Sequence, residues 1–249
     1  LAMTCWGVIG GSGLQEIDGL VVDRAERVET PFGSPSSELV FGQLNGVEVV
    51  FLPRHGHPHT IPPHKVNYRA NIWALKQVGV DFIVAVAAVG GIHQNTGPGV
   101  IVIPEQLIDY SYGRAHTFFE DNLDAVTHID FSNPYEETLR QSILLAAKEA
   151  SVPVLASGCY GVTQGPRLET AKEIDRMEQD GCSLVGMTGM PEAGLARELG
   201  LAYASVSVVA NYAAGRGDGE ITMAEIEVNL VGGMAQVCLL LGALLGSSQ

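Results

Sequence analysis

The chain has 249 residues, 46% hydrophobic and 17% charged, with 30 glycines; that is enough to bury a core without staples, and points to one compact α/β domain over 1–249 with many tight turns. Asp and Glu number 28 against 14 Lys and Arg, a net charge of −14, so the average surface repels nucleic acid and anionic membrane, while a small anion can still bind where a few cations gather. The most apolar stretch, VCLLLGALLG at 237–246, is short and glycine-broken against the roughly 20 apolar residues a bilayer needs, and is expected to be the buried end of a terminal helix.

Leu1 and Ala2 precede Met3 and are expected to be foreign to the natural chain. The four cysteines, Cys5, Cys159, Cys182 and Cys238, form no CxxC pair and follow no secretory leader, which suits reduced, buried thiols and a cytoplasmic location.

The first strand-like run, WGVIG at 6–10, leads into GGSG at 10–13. The absent Cβ atoms let backbone N–H groups and the Ser12 hydroxyl approach an anion, although the same residues also make a plain tight turn. A dinucleotide fingerprint is not met, because Glu16 stands where its last glycine is needed.

A second run, VEVVFL at 47–52, passes into RHGHPHTIPPHK at 54–65. Arg54 can fork two N–H groups onto a phosphate, and His55 can add a donor. His55, His57 and His59 alternate as metal ligands on a strand do, but Arg54 repels a dication, and Pro53, Pro58, Pro62 and Pro63 break a regular strand. An anion or sugar contact is favoured over a metal, with ordinary surface histidines as the remaining reading.

The pattern then predicts a helix over 65–78 and a strand over 81–89 that ends in glycines. Around Ala88, Val89 and Gly90 the backbone can lie against a flat ligand, or the glycines can serve a close helix crossing. A strand is predicted over 99–104, and 113–133 is an acidic surface excursion or subunit contact. A helix over 134–150 is expected with Asn133 as its N-cap and Pro134 at its first position, followed by a strand over 152–157.

TQGPRLET at 163–170 brings Leu168 and Glu169 to a turn before a helix over 170–180 closed by Gly181. Glu169 can accept from a ring N–H or sit solvated near the helix start. GMTGMPE at 186–192 places Met187 and Thr188 before a helix over 191–199; Thr188 can donate to phosphate or cap that helix. The strand over 201–211 ends at Asn211, whose amide offers a donor and an acceptor, or simply forms a turn. Thr222 and Glu225 have capping-box spacing and start the last helix. This alternation predicts a largely parallel sheet covered on both faces, with function at the C-terminal ends of its strands.

In this order, GVIGGSG, TPFGSPS, RHGHPHTIPPHKVNYRANIWALK, GPRLET, GMTGMPEAGLARE and ANY resemble the trimeric purine nucleoside phosphorylase and methylthioadenosine phosphorylase family across almost the whole chain. The resemblance implies a single-domain phosphorylase-type α/β fold with a central mixed sheet, a homotrimer, and phosphorolysis of a purine nucleoside by inorganic phosphate as co-substrate, with no metal or cofactor. Ser12, Arg54, His55 and Thr188 are then expected at phosphate, His59 and Met187 along the ribose, and Ala88, Val89, Gly90, Leu168, Glu169 and Asn211 at the base, with Glu169 and Asn211 serving catalysis.

Within that family, Glu169 with Asn211 is the pair of the inosine and guanosine enzymes, where the methylthioadenosine enzymes carry Ser and Asp. A 6-oxopurine presents N1–H to the Glu169 carboxylate, whereas adenine presents a lone pair there. At the sugar's 5′ end no histidine appears in GEITMAEIEV; Met223 and Ile226 offer an apolar wall suited to a methylthio group, closed by His128 of a neighbouring subunit. The combination points to 5′-methylthioinosine. Ala87 replaces a threonine that the methylthioadenosine enzymes place near phosphate.

Overall fold

The computed structural model describes residues 5–14 and 16–246; Leu1 and Ala2 lie outside the described residues. Eleven strands, β1 Trp6–Gly10, β2 Val21–Glu26, β3 Leu39–Leu44, β4 Val47–Pro53, β5 Phe82–Gly91, β6 Ile101–Val102, β7 Gln106–Asp109, β8 Val154–Leu155, β9 Cys159–Val162, β10 Leu184–Gly186 and β11 Ala202–Tyr212, form one mixed sheet. Five helices accompany it: α1 Tyr68–Gln77, α2 Glu137–Glu149, α3 Ala171–Gln179, α4 Glu192–Glu198 and α5 Met223–Gly246.

The central strands alternate their side chains between two cores, as a sheet covered on both faces requires. Val8, Val84, Val206 and Val208 pack with Ile143 of α2 and Val237 and Leu241 of α5. Ile9, Ile83 and Ala85 pack on the other face with Ile72 and Leu75 of α1 and Leu195 of α4. Each such buried Val, Leu or Ile side chain contributes roughly 1.5–3 kcal/mol of transfer free energy.

β5 organises the sheet. One edge pairs in parallel with β11 along its whole length. The other edge pairs with β1 only from Phe82 to Ala85 and with β10, antiparallel, only at Gly90 and Gly91. Among the described residues, none pairs as a strand with 86–89 on that edge, and the sheet opens there.

Several expected elements shift. Residues 65–78 split into a 3-10 turn at Pro63–Lys65 and α1, whose N-cap Asn67 accepts from Ala70 N–H. The helix expected from Pro134 starts at Glu137, because Glu136 caps it by accepting from the N–H groups of Thr138 and Leu139. α3 begins with a full capping box between Thr170 and Glu173. The expected strands over 99–104 and 152–157 shrink to two residues each, while β2, β3, β7, β9 and β10 were not expected.

α5 is a continuous 24-residue helix, by length and composition enough to cross a membrane; it begins directly after Thr222, and the apolar stretch at 237–246 is its buried end, as expected. Its Leu230, Met234, Val237, Leu241 and Leu244 recur on one face that is buried against the sheet and α2. The four cysteines are free thiols; only Cys182 is fully buried, the others being half-buried.

Candidate active site

Where β5 lacks a partner, a cavity of about 1020 Å³ opens. The ends of β1, β4, β5 and β11, the loops after β9 and β10, and the first turns of α5 line it. It gathers Ser12, Arg54, His55, His59, Ala88, Val89, Gly90, Leu168, Glu169, Met187, Thr188, Asn211, Met223 and Ile226. Of the candidates, His128 alone lies elsewhere, exposed in the 113–133 excursion.

Arg54 continues from β4 and is buried to 1% exposure. Its Nε and Nη2 donate to Glu192 Oε2 and Oε1 at 2.7 and 2.8 Å, and its Nη1 donates to the unpaired Val86 carbonyl at 2.9 Å. The Nε/Nη2 edge, one of the two forks of the guanidinium, therefore holds Glu192, and of the five N–H bonds one on Nη1 and one on Nη2 remain for another acceptor. Burial alone would lower the guanidinium's proton affinity, but the Glu192 carboxylate outweighs it and the affinity rises. The glycine loop is both a turn, with Leu14 N–H on the Gly11 carbonyl, and a cavity wall. A Cβ on Gly11 would come within 2.9 Å of Arg54 Nη1 and 2.6 Å of the Val86 oxygen, so only glycine fits beside the guanidinium.

His55 is 7% exposed, stacked on the His59 ring at a centroid distance of 4.5 Å. Burial, and then the Arg54 charge, lower its pKa to about 4, so it is neutral near pH 7. Its Nδ1 faces the Ile61 carbonyl at 2.8 Å. A carbonyl only accepts, so Nδ1 carries the proton and Nε2 presents a lone pair. The expected donor is thus an acceptor, fit to meet a protonated phosphate oxygen. Burial lowers His59 as well. Thr188 is buried beside the Tyr160 hydroxyl, and α4 takes Pro191 rather than Thr188 as its N-cap.

At the other end, Glu169 Oε1 accepts from the Thr163 hydroxyl at 2.6 Å. Asn211 follows a bulge in β11, where the register moves from Val209 opposite Val89 to Asn211 opposite Gly90. A bulge re-aims the next side chain, and the missing side chain at Gly90 leaves it room. Asn211 Nδ2 donates to the Tyr212 carbonyl at 2.7 Å, and among the described residues its Oδ1 and other N–H are unspent.

Met223, Ile226 and Leu230 follow one another down one side of α5. Met223 is 66% exposed, so it belongs to the cavity rim and not to the core. The wall is not wholly apolar, since Glu227 also lines it.

A cavity at strand C-termini joining a buried cation, hydrogen-bonding groups for a ring edge and an apolar rim suits an anionic co-substrate beside a nucleoside-like ligand. The phosphorylase superfamily model matches residues 6–245. The chain belongs to that superfamily. A Pseudomonas syringae pv. tomato protein named probable S-methyl-5′-thioinosine phosphorylase is 54% identical over 99% of this chain and 100% of its own. A Thermococcus kodakarensis protein named probable 6-oxopurine nucleoside phosphorylase is 44% identical over 88% of this chain and 83% of its own. The methylthioadenosine phosphorylase of Schistosoma mansoni, solved with adenine, superposes with a TM-score of 0.94 at 33% identity, over 98% of this chain and 91% of its own.

Three residues of this superfamily member's site escaped the sequence reading. Glu192 resembles any solvated first-turn glutamate until the burial of Arg54 demands a counter-charge. Thr163 opens the turn-rich run TQGPRLET, in which nothing marks its hydroxyl as a partner of Glu169. Arg114, in the excursion, is buried and donates to the carbonyls of Thr163, Gln164, Met187 and Met190, at 3.2, 2.9, 2.9 and 2.5 Å. It ties the loop bearing Glu169 to the loop bearing Thr188, and no sequence spacing announces that.

Proposed function

We propose that the protein is a 5′-methylthioinosine phosphorylase, converting that nucleoside and inorganic phosphate to hypoxanthine and 5-methylthioribose 1-phosphate. The observation that carries this is one cavity with Glu169 and Asn211 at its base end and Met223 and Ile226 at its rim.

Phosphate sits near Ser12, the two unspent Arg54 N–H bonds, His55 Nε2 and Thr188. One of its oxygens attacks C1′ as the bond to the purine breaks, and the anion stabilises the cationic, oxocarbenium-like sugar. His59 and Met187 lie along the ribose. The remaining Asn211 N–H donates to N7 of the departing base, which stabilises the electrons released into the purine as the bond breaks, while Glu169 accepts from N1–H and holds the ring in place. Ala88, Val89, Gly90 and Leu168 pack on the ring faces. Phosphate is the co-substrate, and the scheme calls for no metal or cofactor. We place the enzyme in the cytoplasm as a homotrimer, with the partner subunit's His128 closing the 5′ end.

A general 6-oxopurine nucleoside phosphorylase is the second reading, favoured by the exposure of Met223 and by the name of the Thermococcus relative. Phosphate-dependent base release from 5′-methylthioinosine, inosine and 5′-methylthioadenosine, measured in parallel, separates them. Methylthioinosine ahead of both supports the proposal; inosine ahead overturns the 5′ assignment, and methylthioadenosine ahead overturns the base assignment.

A further inference from the structure

We infer that Thr163 sets the choice between hypoxanthine and guanine by occupying one of the two Glu169 carboxylate oxygens. The inference rests on the base site proposed above. Thr163 extends β9 by one residue, its N–H donating to the Gly186 carbonyl at 2.8 Å, and its side chain is 9% exposed. Its hydroxyl has a single hydrogen and two acceptors in reach, Glu169 Oε1 at 2.6 Å and the Gly186 carbonyl at 3.2 Å. The short contact to the carboxylate takes the hydrogen, as charge-assisted bonds do.

Glu169 therefore meets the cavity with one oxygen engaged and one free. The edge of hypoxanthine that carries N1 offers one N–H. The same edge of guanine offers N1–H and a 2-amino N–H side by side, which a carboxylate satisfies best with both oxygens. A guanine 2-amino group brought to Oε1 finds one of that oxygen's two lone pairs already held by the short Thr163 bond, and must take the other at a direction which that bond fixes, displace the hydroxyl, or go unpaired, and an unpaired buried donor is costly.

The loop keeps its shape by other means. Arg114 holds the carbonyls of Thr163 and Gln164. Gly165, at φ +62°, packs so closely on Met187 that a Cβ there would lie 2.4 Å from its sulfur, and the Arg167 and Glu173 side chains pair at 2.8 Å beyond it. Removing the Thr163 hydroxyl leaves the Gly186 carbonyl still bonded to the Thr163 N–H and frees only Glu169 Oε1. Thr163→Val, of nearly equal size, should fold.

The test compares kcat/KM for phosphorolysis of 5′-methylthioinosine and 5′-methylthioguanosine in the wild type, Thr163→Val and Thr163→Ser, with KM for phosphate as a control. The wild type should favour the hypoxanthine nucleoside, and Thr163→Val should move the ratio toward guanine by about tenfold or more. Thr163→Ser should keep the wild-type ratio, with KM for phosphate alike in all three. A wild type indifferent to the 2-amino group, or a Thr163→Val ratio within about twofold of wild type, overturns the inference. A Thr163→Val enzyme losing both substrates equally overturns it too, as that marks a merely structural role. Preference of the wild type for 5′-methylthioadenosine would instead overturn the base-site assignment beneath it.

Discussion

Arg54 and Glu192 meet in a two-point ion pair at the floor of the cavity, 1% and 0% exposed, with the Tyr203 hydroxyl adding a third bond to Glu192 Oε1 at 2.8 Å. The pair explains how one guanidinium can be wholly buried and still face a ligand: its charge is balanced along one edge by Glu192, and the two N–H bonds left over are available to an anion. Removing the carboxylate leaves that charge uncompensated in a low-dielectric site.

Glu192→Ala is accordingly expected to destabilise the fold by about 3–5 kcal/mol, and Glu192→Gln, which keeps two hydrogen-bonding atoms, by less. Urea denaturation measures both. Added phosphate should raise the midpoint of the wild type, by binding the native state, more than that of either variant.

His55 gives the protein a predictable acid limb. Its native pKa of about 4 lies below the ordinary 6.5, so between those values the unfolded chain binds the extra proton. This contribution to stability is full above pH 6.5 and disappears as pH falls through 4, and the shift sets its upper bound at about 3 kcal/mol. His59, also lowered, adds in the same direction. The loss of stability between pH 7.5 and pH 4.5, measured by denaturant titration, should be smaller in His55→Asn than in the wild type; an equal loss would remove His55 as its source.

Asn211→Asp is expected to shift preference from 5′-methylthioinosine toward 5′-methylthioadenosine while lowering activity on both. The Asn211 amide N–H that now meets the Tyr212 carbonyl at 2.7 Å would be replaced by an acceptor facing an acceptor, so the new side chain must take a proton or turn away. Unchanged base selectivity would count against the placement of Asn211 at the base.

Met223→His tests the rim. It replaces an exposed thioether with a donor for a 5′-hydroxyl, so the ratio of kcat/KM for inosine over 5′-methylthioinosine should rise by about tenfold. A variant that lost both activities together would instead mark Met223 as a structural element of the α5 start.

The site was legible to the extent that its residues carry their own chemistry. Glycines beside Ser12, an arginine in a proline-broken loop, and Glu169, Thr188 and Asn211 at turns after apolar runs each state a polar function at a strand end, and the structure brings them into one cavity. Strands 6–10, 47–52, 81–89 and 201–211 were legible for a similar reason, because long buried β-branched runs have few other ways to be satisfied. The short strands were not. β10 is three residues long, and it is a strand because β5 on one side and β9 on the other offer it backbone partners. β2 is exposed at all six positions, so no alternation marked it.

Composition and order of residues by themselves determined the class of fold, the covered sheet and the end of the sheet where chemistry gathers, since local propensity and hydrophobic period are properties of neighbours in the chain. Tertiary structure alone decided what each polar group has left to offer. In sequence Arg54 is free, and Glu192, 138 residues away, takes one of its edges; His55 offers a donor until the Ile61 carbonyl claims its proton; and Glu169 is symmetric until Thr163 engages one oxygen. A side chain's inventory of donors and acceptors is fixed by its type, but burial forces each to find a partner, and only the folded chain determines which remain for a ligand.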